Sequence, residues 1–407
     1  MQYSGEDVQA FVREEDVRFI HLSFCDVFGR QKNIAVLPTE LERAFHYGIA
    51  IDASAIAGFG GEVHSDLFLH PIADSLTLLP WRPDQGKLVE LRCFMTYPDG
   101  RRFENDTRSI LLDAVARAEQ AGLHFSFGSE LEFYLFCLND DGEPTDRPYD
   151  RASYMDSAPE DKGEGIRREI CMFLQALNIQ PEGAHHEEGP GQNEIDFRYS
   201  DALTAADNAM RFQAVVKIVA ARNGLCADFS PRPLADAPGS GFHINMSVRA
   251  DSGEDLLSHM IAGILEYVPD ITVFLNPTEA SYARLGRDKA PQYVSWSSEN
   301  RSQLVRVPAA EGEFRRAELR SPDPGANPYL AFALLIHAAM DGMEAGLALP
   351  PAADVNFFTA DARVLEPYRR LPSDREEAAR IAAGSDFVRR HLPQMLIDAY
   401  TNISLKS

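Results

Sequence analysis

The chain predicts an α+β protein: a small β-rich N-terminal domain, then a larger domain of helices around a sheet. Three observations carry this. Residues 16–97 are dense in apolar and β-branched runs punctuated by turn residues. From Asp106 onward, long segments take on helical periodicity. Between those helices fall four strand-like segments whose polar faces hold carboxylates, an imidazole and guanidinium groups. At 407 residues the chain exceeds one small domain, and 45% hydrophobic with 25% charged residues is a globular composition. The expected division is 1–100 and 101–407, at the turn Tyr97-Pro98-Asp99-Gly100.

In order along the chain, VRFIHLSFCDVFG, SLTLLPW and KLVELRCFMTY supply the first sheet. PTELERAFHYG is a short helix opened by Pro38–Thr39 and closed by Gly48. DTRSILLDAVARAEQAG has an Asp/Thr cap, apolar residues at 110, 111, 114, 115 and 118, and a closing Gly122. Further helices are expected near 162–177, 204–223, 254–267, 326–346 and 375–399. No internal repeat is visible.

The four polar-faced strands carry the chemistry. In GSELEFYLF (128–136), alternation puts Glu130, Glu132 and Tyr134 on one face and Leu131, Phe133 and Leu135 on the other. GQNEIDF (191–197) pairs Glu194 with Asp196; GFHINMSV (241–248) aligns His243, Asn245 and Ser247; RRAELRSP (315–322) aligns Arg316, Glu318 and Arg320. Any one of these alone reads more readily as an ordinary strand with a solvated face. Together they assemble carboxylates, one imidazole and two guanidiniums, the inventory of a metal–phosphate site. Glu187 and Glu194, bridged by Gly-Pro-Gly, fit either a loop folding two carboxylates toward one point or an acidic surface turn. Arg284, Arg287, Arg301 and Arg306 cluster in 281–308 and suit phosphate or carboxylate oxygens, with Arg287 read as a surface residue.

A formal net charge of -23 argues against nucleic acid and anionic membranes as partners. Five widely spaced cysteines without CxxC predict reduced thiols in a cytoplasmic protein, and no signal peptide or membrane span is visible. A P-loop, Rossmann spacing and HExxH are absent.

GSELEFYLF, HHEEGPGQNE, GSGFHINMS, NPTEASYARL, NRSQLVRVP and RAELRSPDPGANPYLAFALL resemble, in order and separation, the signature blocks of the glutamine synthetase family. DVFG, GIAIDASAIAGF and SDLFLHP resemble its small β-grasp domain; the likeness covers roughly residues 16–345. The resemblance implies a β-grasp domain plus a catalytic domain with a curved antiparallel sheet, a partial barrel flanked by helices. It implies two divalent cations, Mg²⁺ or Mn²⁺, with a third arriving alongside ATP as an option. One would sit on Glu132, Glu187 and Glu194, the other on Glu130, His243 and Glu318. ATP would lie by Asn245 and Ser247, with Arg301, Arg306 and Arg316 on or near its phosphates and Glu182 as a further contact. Arg284 and Arg320 would grip glutamate or a related acid, approached by the Gly239 backbone. Asp52 and Arg301 would act in catalysis. The family's reaction is phosphorylation of a carboxylate by ATP, then displacement of phosphate by ammonium or an amine. A homo-oligomer is implied, a hexameric ring or a dodecamer, with sites between subunits; the short stretch after HLPQMLIDAYTN makes ring stacking the less secure part.

Three departures fall at the acceptor end. The flap LGRDKAP is one residue short and carries Lys289 where ammonium-using members carry Glu. Asp52-Ala53-Ser54-Ala55 keeps the ammonium-facing acid but loses the last Ser of Asp-Gly-Ser-Ser. Pro238 replaces an Asn that helps hold glutamate. The expectation is therefore a γ-glutamyl-amide ligase of the kind that uses polyamines or other amines. Ordinary glutamine synthesis is the alternative, and a non-catalytic structural or nitrogen-sensing protein the second alternative.

Overall fold

The computed structural model describes residues 3–402, apart from 62, 64, 82–85, 311, 313 and 314. Helix α1 (Gly5–Glu14) opens it, and the sequence reading missed this helix. Its start signal is a capping box: the Ser4 hydroxyl accepts from the Asp7 N–H while the Asp7 carboxylate accepts from the Ser4 N–H.

Six strands follow: β1 (Val17–Cys25), β2 (Gln31–Val36), β3 (Ile49–Asp52), β4 (Asp66–Pro71), β5 (Thr77–Leu79) and β6 (Lys87–Thr96). They order as β2-β1-β6-β4-β3, with β5 on β6 and β1 parallel to β6. The turn between β1 and β2 is set by Asp26, whose carboxylate accepts from the N–H groups of Phe28 (3.0 Å) and Arg30 (2.9 Å). Helix α2 (Leu41–Tyr47) closes at Gly48, as its sequence predicts.

The second sheet contains β7 (Leu123–Leu138), β8 (Pro144–Pro148), β9 (Pro181–His186), β10 (Gln192–Phe197), β11 (Ser200–Asp201), β12 (Leu225–Asp228), β13 (Phe242–Ala250), β14 (Trp296–Ser298), β15 (Val305–Val307) and β16 (Ala317–Leu319). Its path is β14-β15-β16-β13-β7-β10-β9, antiparallel except for β14–β15, and it curls into a half-barrel. The helices are α3 (Thr107–Gln120), α4 (Glu164–Ala176), α5 (Ala202–Arg222), α6 (Leu257–Leu275), α7 (Glu279–Arg284), α8 (Pro328–Glu344), α9 (Ala362–Leu365), α10 (Arg375–Gly384), α11 (Asp386–His391) and α12 (Gln394–Thr401).

Helix α8 is buried around nearly its whole circumference, as its largely apolar sequence demands. Its Phe332 stacks on Phe127 of β7 with ring centroids 4.2 Å apart, which seats the helix under the sheet. Two expectations shift. Helix α6 runs past 267 to Leu275, because Ile271 to Leu275 are buried, all but Thr272 apolar, and packing outweighs the missing N–H. The expected 375–399 helix is three helices. Ser385 caps α11 by accepting from Val388 N–H, and Pro393 starts α12.

The two sheets are joined by buried charge. Arg92 of β6 reaches the Tyr329 hydroxyl (3.0 Å) and the Asp207 backbone carbonyl (2.9 Å), while Arg211 of α5 holds Glu90 of β6 at 2.9 Å. No described helix is long and apolar enough to cross a membrane.

Candidate active site

Strand β7 is the spine of the site. Its register sets Glu132 opposite Glu194 and Glu130 opposite Asp196 on β10, and Glu130 opposite His243 on β13. Strand β16 sets Glu318 opposite Asn245, and β15 sets Arg306 opposite Glu318. The alternation read from the sequence places the partners: Leu131, Phe133, Leu135, Ile195, Phe242, Ile244 and Leu319 all lie in the hydrophobic core. Residues directly opposite in antiparallel strands have Cβ atoms about 5 Å apart, and like charges there repel. The β7–β10 acids therefore form a repulsive pairing that needs positive charge.

A cavity of about 820 Å³ opens onto this face. It gathers Glu130, Glu132, Glu187, Glu194, His243, Gly239, Arg284, Arg301, Arg306, Arg316 and Arg320. Five expected residues lie outside its lining. Glu318 is buried one layer below, paired with Arg320 and with Arg306 (2.7 Å). Asn245 braces Glu130 (2.8 Å) and accepts from Arg316 Nε (2.8 Å). Ser247 accepts a short bond from Tyr199. Glu182 is exposed on β9, 3.7 Å from Arg198. Asp52 ends β3 in the other sheet, exposed, accepting from the Ser54 N–H (3.0 Å) and hydroxyl (2.6 Å).

Each acid has its own environment. Glu132 accepts from Gln192 Nε2 (2.9 Å) and from the Gly241 N–H (2.8 Å). Glu187 meets His185 Nε2 at 2.8 Å and accepts the Glu188 N–H at 3.1 Å. Burial alone would raise the Glu130 pKa, but His243 (3.4 Å) and Asn245 outweigh it and bring it to about 2. Burial, then the charges of Glu132, Asp196, Glu130 and Glu187, push Glu194 well above the usual carboxylate range. Burial and the Glu130 charge lift Asp196 to about 7.

Among the described residues, two groups of donor atoms on this cavity come close enough to share an ion: Glu130, Glu194 and His243, and His185, Glu187 and Glu194. The fit to a divalent cation is good. The buried Asp196 Oδ1 has no hydrogen-bond partner, and Glu194 stays proton-hungry in the absence of positive charge. Oxygen donors with one or two imidazoles suit Mg²⁺ or Mn²⁺. Opposite these acids, Arg284 is buried with its guanidinium on the backbone carbonyls of Ser321 (2.8 Å) and Arg320 (3.4 Å). Burial lowers its pKa, partly offset by the charges of Asp323 and Glu132, and its side chain lines the cavity. Gly239 lies against it; a Cβ there would meet the Pro231 carbonyl oxygen at 2.4 Å, which is why this close approach needs glycine.

Sequence reasoning missed several participants. Asp196 was visible on the acidic face of β10 but was given no role. His185 and Glu188, flanking positions in HHEEGPGQNE, carry the signal of being polar neighbours of a ligand. A buried network behind the Glu187 loop was not legible. His186 Nδ1 contacts the Glu187 carbonyl oxygen (2.6 Å) and Nε2 contacts Asp150 (2.8 Å). Burial would lower the His186 pKa, but Asp150 and the Glu187 carbonyl, both acceptors, outweigh it and raise it. Asp150 also accepts the N–H of Gly191 (3.1 Å) and of Lys162 (3.0 Å), and Arg167 pairs with Asp161. These charges are already neutralised, so the Asp150–Asp161–His186 group reads as a brace for the loop.

The flap 285–291 covers one side of the cavity. Lys289 and Ala290 line it, Lys289 is paired with Glu188, and Arg287 is exposed as expected. Pro238 lines the same cavity, its carbonyl accepting from Tyr134 OH at 2.5 Å.

A β-grasp sheet beside a half-barrel whose strands carry a carboxylate ladder defines a carboxylate–amine ligase of the ATP-dependent kind. Residues 16–98 match the "Glutamine synthetase, beta-Grasp domain" and residues 104–406 the "Glutamine synthetase, catalytic domain". The glutamine synthetase of Clostridium saccharobutylicum is 40% identical over 406 residues, covering 96% of this chain and 92% of that protein. That of Methanosarcina mazei is 38% identical over 411 residues, 97% and 92%. A solved structure described as "GmaS/ADP complex-Conformation 1" superposes with a TM-score of 0.88 at 28% identity, over 97% of this chain and 94% of that one. The chain belongs to the glutamine synthetase family, and it is an ATP-dependent ligase of that type.

Proposed function

We propose that this ligase joins the carboxylate of glutamate, or a closely related acid, to an amine other than ammonia. The observation that carries this reading is the flap. Its cavity-lining position before Ala290-Pro291 is a lysine, tied to Glu188, where the resemblance leads one to expect an acid. A protonated lysine there offers ammonium neither the anionic contact nor the proton acceptor that a glutamate would supply.

In this reading the acid substrate sits on Arg284 and Arg320, beside the Gly239 backbone. Its carboxylate oxygen attacks the ATP γ-phosphorus, the bond from that phosphorus to the bridging oxygen breaks, and ADP leaves. The amine nitrogen then attacks the acyl carbon, the carbon–oxygen bond to phosphate breaks, and the nitrogen loses a proton. Arg301, Arg306 and Arg316 act on or near the phosphates, by Asn245 and Ser247; charge placed in advance is what phosphoryl transfer requires. Glu182 remains a contact to test. Divalent cations would be held by Glu130, His243 and Glu318 and by Glu132, Glu187 and Glu194, with His185 and Asp196 adjoining, and would supply neutralisation of phosphate charge. The neighbour described as an ADP complex supports nucleotide binding by this fold.

Asp52 lies outside its own chain's cavity, which supports a site completed by a neighbouring subunit's N-terminal domain in a ring. The reading uses a domain division at residue 100, between the two matched ranges.

Ordinary glutamine synthesis is the second reading. The 40% identity to a protein named glutamine synthetase favours it, as does the retained Asp52. Phosphate release from ATP, measured with glutamate plus ammonium and plus a panel of primary amines and polyamines, separates the two. Ammonium ranking first on kcat/KM sinks the first reading.

A further inference from the structure

The flap is a small closed loop: the Gly286 N–H donates to the Ala290 carbonyl (2.9 Å), and the Ala290 N–H to the Arg287 carbonyl (2.8 Å). At its tip Asp288 (φ 47°) and Lys289 (φ 69°) both take the left-handed conformation that residues with a Cβ avoid. Two ion pairs hold this tip. Asp288 meets Arg232 at 3.2 Å, and the Lys289 ammonium meets the Glu188 carboxylate. Asp288 and Lys289 line the main cavity and also a second, outer groove that includes Arg232, Arg287 and Phe358. The flap tip is thus the wall between that groove and the chemistry.

Lys289 is chemically a primary alkylammonium ion resting on a carboxylate. That is also what a primary amine acceptor looks like when it arrives at neutral pH. Glu188 follows Glu187 directly and lines the same cavity, so a cation on Glu188 sits at the acceptor end. The pair is half-exposed, 53% for the lysine side chain and 37% for the glutamate, and such pairs are weak enough to exchange partners. Tyr154 and Met155, both exposed and both lining this cavity, add an aromatic and a thioether surface suited to an alkyl chain. We infer that Glu188 is the anionic seat for the acceptor's ammonium group, and that Lys289 occupies this seat as a displaceable internal cation until a primary alkylammonium takes its place. The inference rests on the acceptor entering at the flap, as proposed above.

The test compares acceptor KM, at saturating ATP and acid, for the full-length protein, Lys289→Met and Glu188→Gln. A seat held by a displaceable lysine predicts opposite signs. Lys289→Met lowers acceptor KM roughly two- to fivefold, the scale of releasing an exposed ion pair. Glu188→Gln raises it roughly tenfold, the scale of losing a charge-assisted contact, with less than about twofold change for ATP and acid. A pair that merely fastens the flap predicts the same direction in both variants, because each breaks the same contact. Equal directions, or no change in either, overturn the inference. The acceptor used is whichever of ammonium and the primary amines ranks first in the panel, so a preference for ammonium overturns the choice of amine without touching this test. Where turnover falls below detection, ethylammonium chloride is titrated calorimetrically into the protein loaded with magnesium and ADP. Opposite shifts in Kd support the seat; equal shifts, or no binding to the parent, overturn it.

Discussion

The carboxylate end and the flap end of one cavity are built from different materials. Glu130, Glu132, Glu194, His243 and Glu318 stand on paired strands whose registers fix their neighbours. Each is backed by core residues of the opposite face. Glu188, Asp288 and Lys289 stand on loops, half-exposed, held by ion pairs and by backbone that side chains ordinarily avoid. The difference teaches where each kind of demand is met. Charges that must neutralise a transferring phosphoryl group need to be placed before the reaction, and a sheet does this at little reorganisation cost. Choice among acceptors is a matter of small free-energy differences, and a loop can alter those without disturbing the sheet.

The comparison breaks most visibly at Glu318. Glu318→Ala leaves Arg306 and Arg320 facing each other without their shared carboxylate. Phosphate release should fall about a hundred- to a thousandfold, the cost of one preorganised electrostatic contact in a site of this kind. Near-normal turnover would falsify its place in the machinery.

The carboxylate end should also announce itself without catalysis. Burial and the Glu130 charge lift Asp196 to about 7, from an ordinary carboxylate's 3.8. Between those values the folded chain holds a proton that the unfolded chain has released, so rising pH removes stability from the metal-free protein across that window. Asp196→Asn should therefore gain Tm relative to the metal-free parent as pH rises from 5 to 7.5, because the variant lacks this loss. Mn²⁺ or Mg²⁺ at a hundredfold over Kd should restore about 2.7 kcal/mol at pH 7.5. A Tm difference between parent and Asp196→Asn that does not change over this range, together with a parent Tm that ignores the cation, removes the basis for a metal site here.

Much of this end was legible in the sequence. Glu130-Leu131-Glu132 and Glu194-Ile195-Asp196 announce themselves because alternation forces polar and apolar residues to opposite faces of a strand. Which acid meets which was not legible, since register depends on pairings across 60 residues or more, as between Glu132 and Gln192. So Glu194 emerges close to both Glu130–His243 and His185–Glu187, and Glu318 lies one layer below the cavity. The brace was hidden for a related reason. Asp150, His186 and Arg167 sit in three segments with no shared period, and only folding brings them together. The missed α1 is a different failure, because its Ser4–Asp7 capping box is local and can be read from four residues.

That brace offers the next test. Asp150→Asn removes the carboxylate paired with buried His186, whose Nδ1 meets the Glu187 carbonyl. Partners behind metal ligands typically cost ten- to a hundredfold in metal affinity when lost. Mn²⁺ titration should show a drop of about that size, with the acceptor ranking unchanged. A changed ranking with unchanged Mn²⁺ affinity would mean that the brace serves the flap instead.

The smallest expected effect is the most informative about the flap. Lys289→Glu replaces the cation before Ala290-Pro291 by an acid and sets it against Glu188, where the present pair is attractive. Two neighbouring carboxylates favour a small cation between them. The ratio of kcat/KM for ammonium to that for the best amine should rise roughly tenfold, about 1.4 kcal/mol. The parent's phosphoryl chemistry should survive, because none of the strand-borne acids contacts residue 289. An unchanged ratio would mean that the shortened loop does not reach the acceptor. Selection would then fall to Pro238, Tyr154 and Met155 on the remaining cavity wall. A change in ratio accompanied by loss of ATP turnover would show instead that the loop and the sheet are not separable, because an ion pair at the rim would then be setting charge at the carboxylate end.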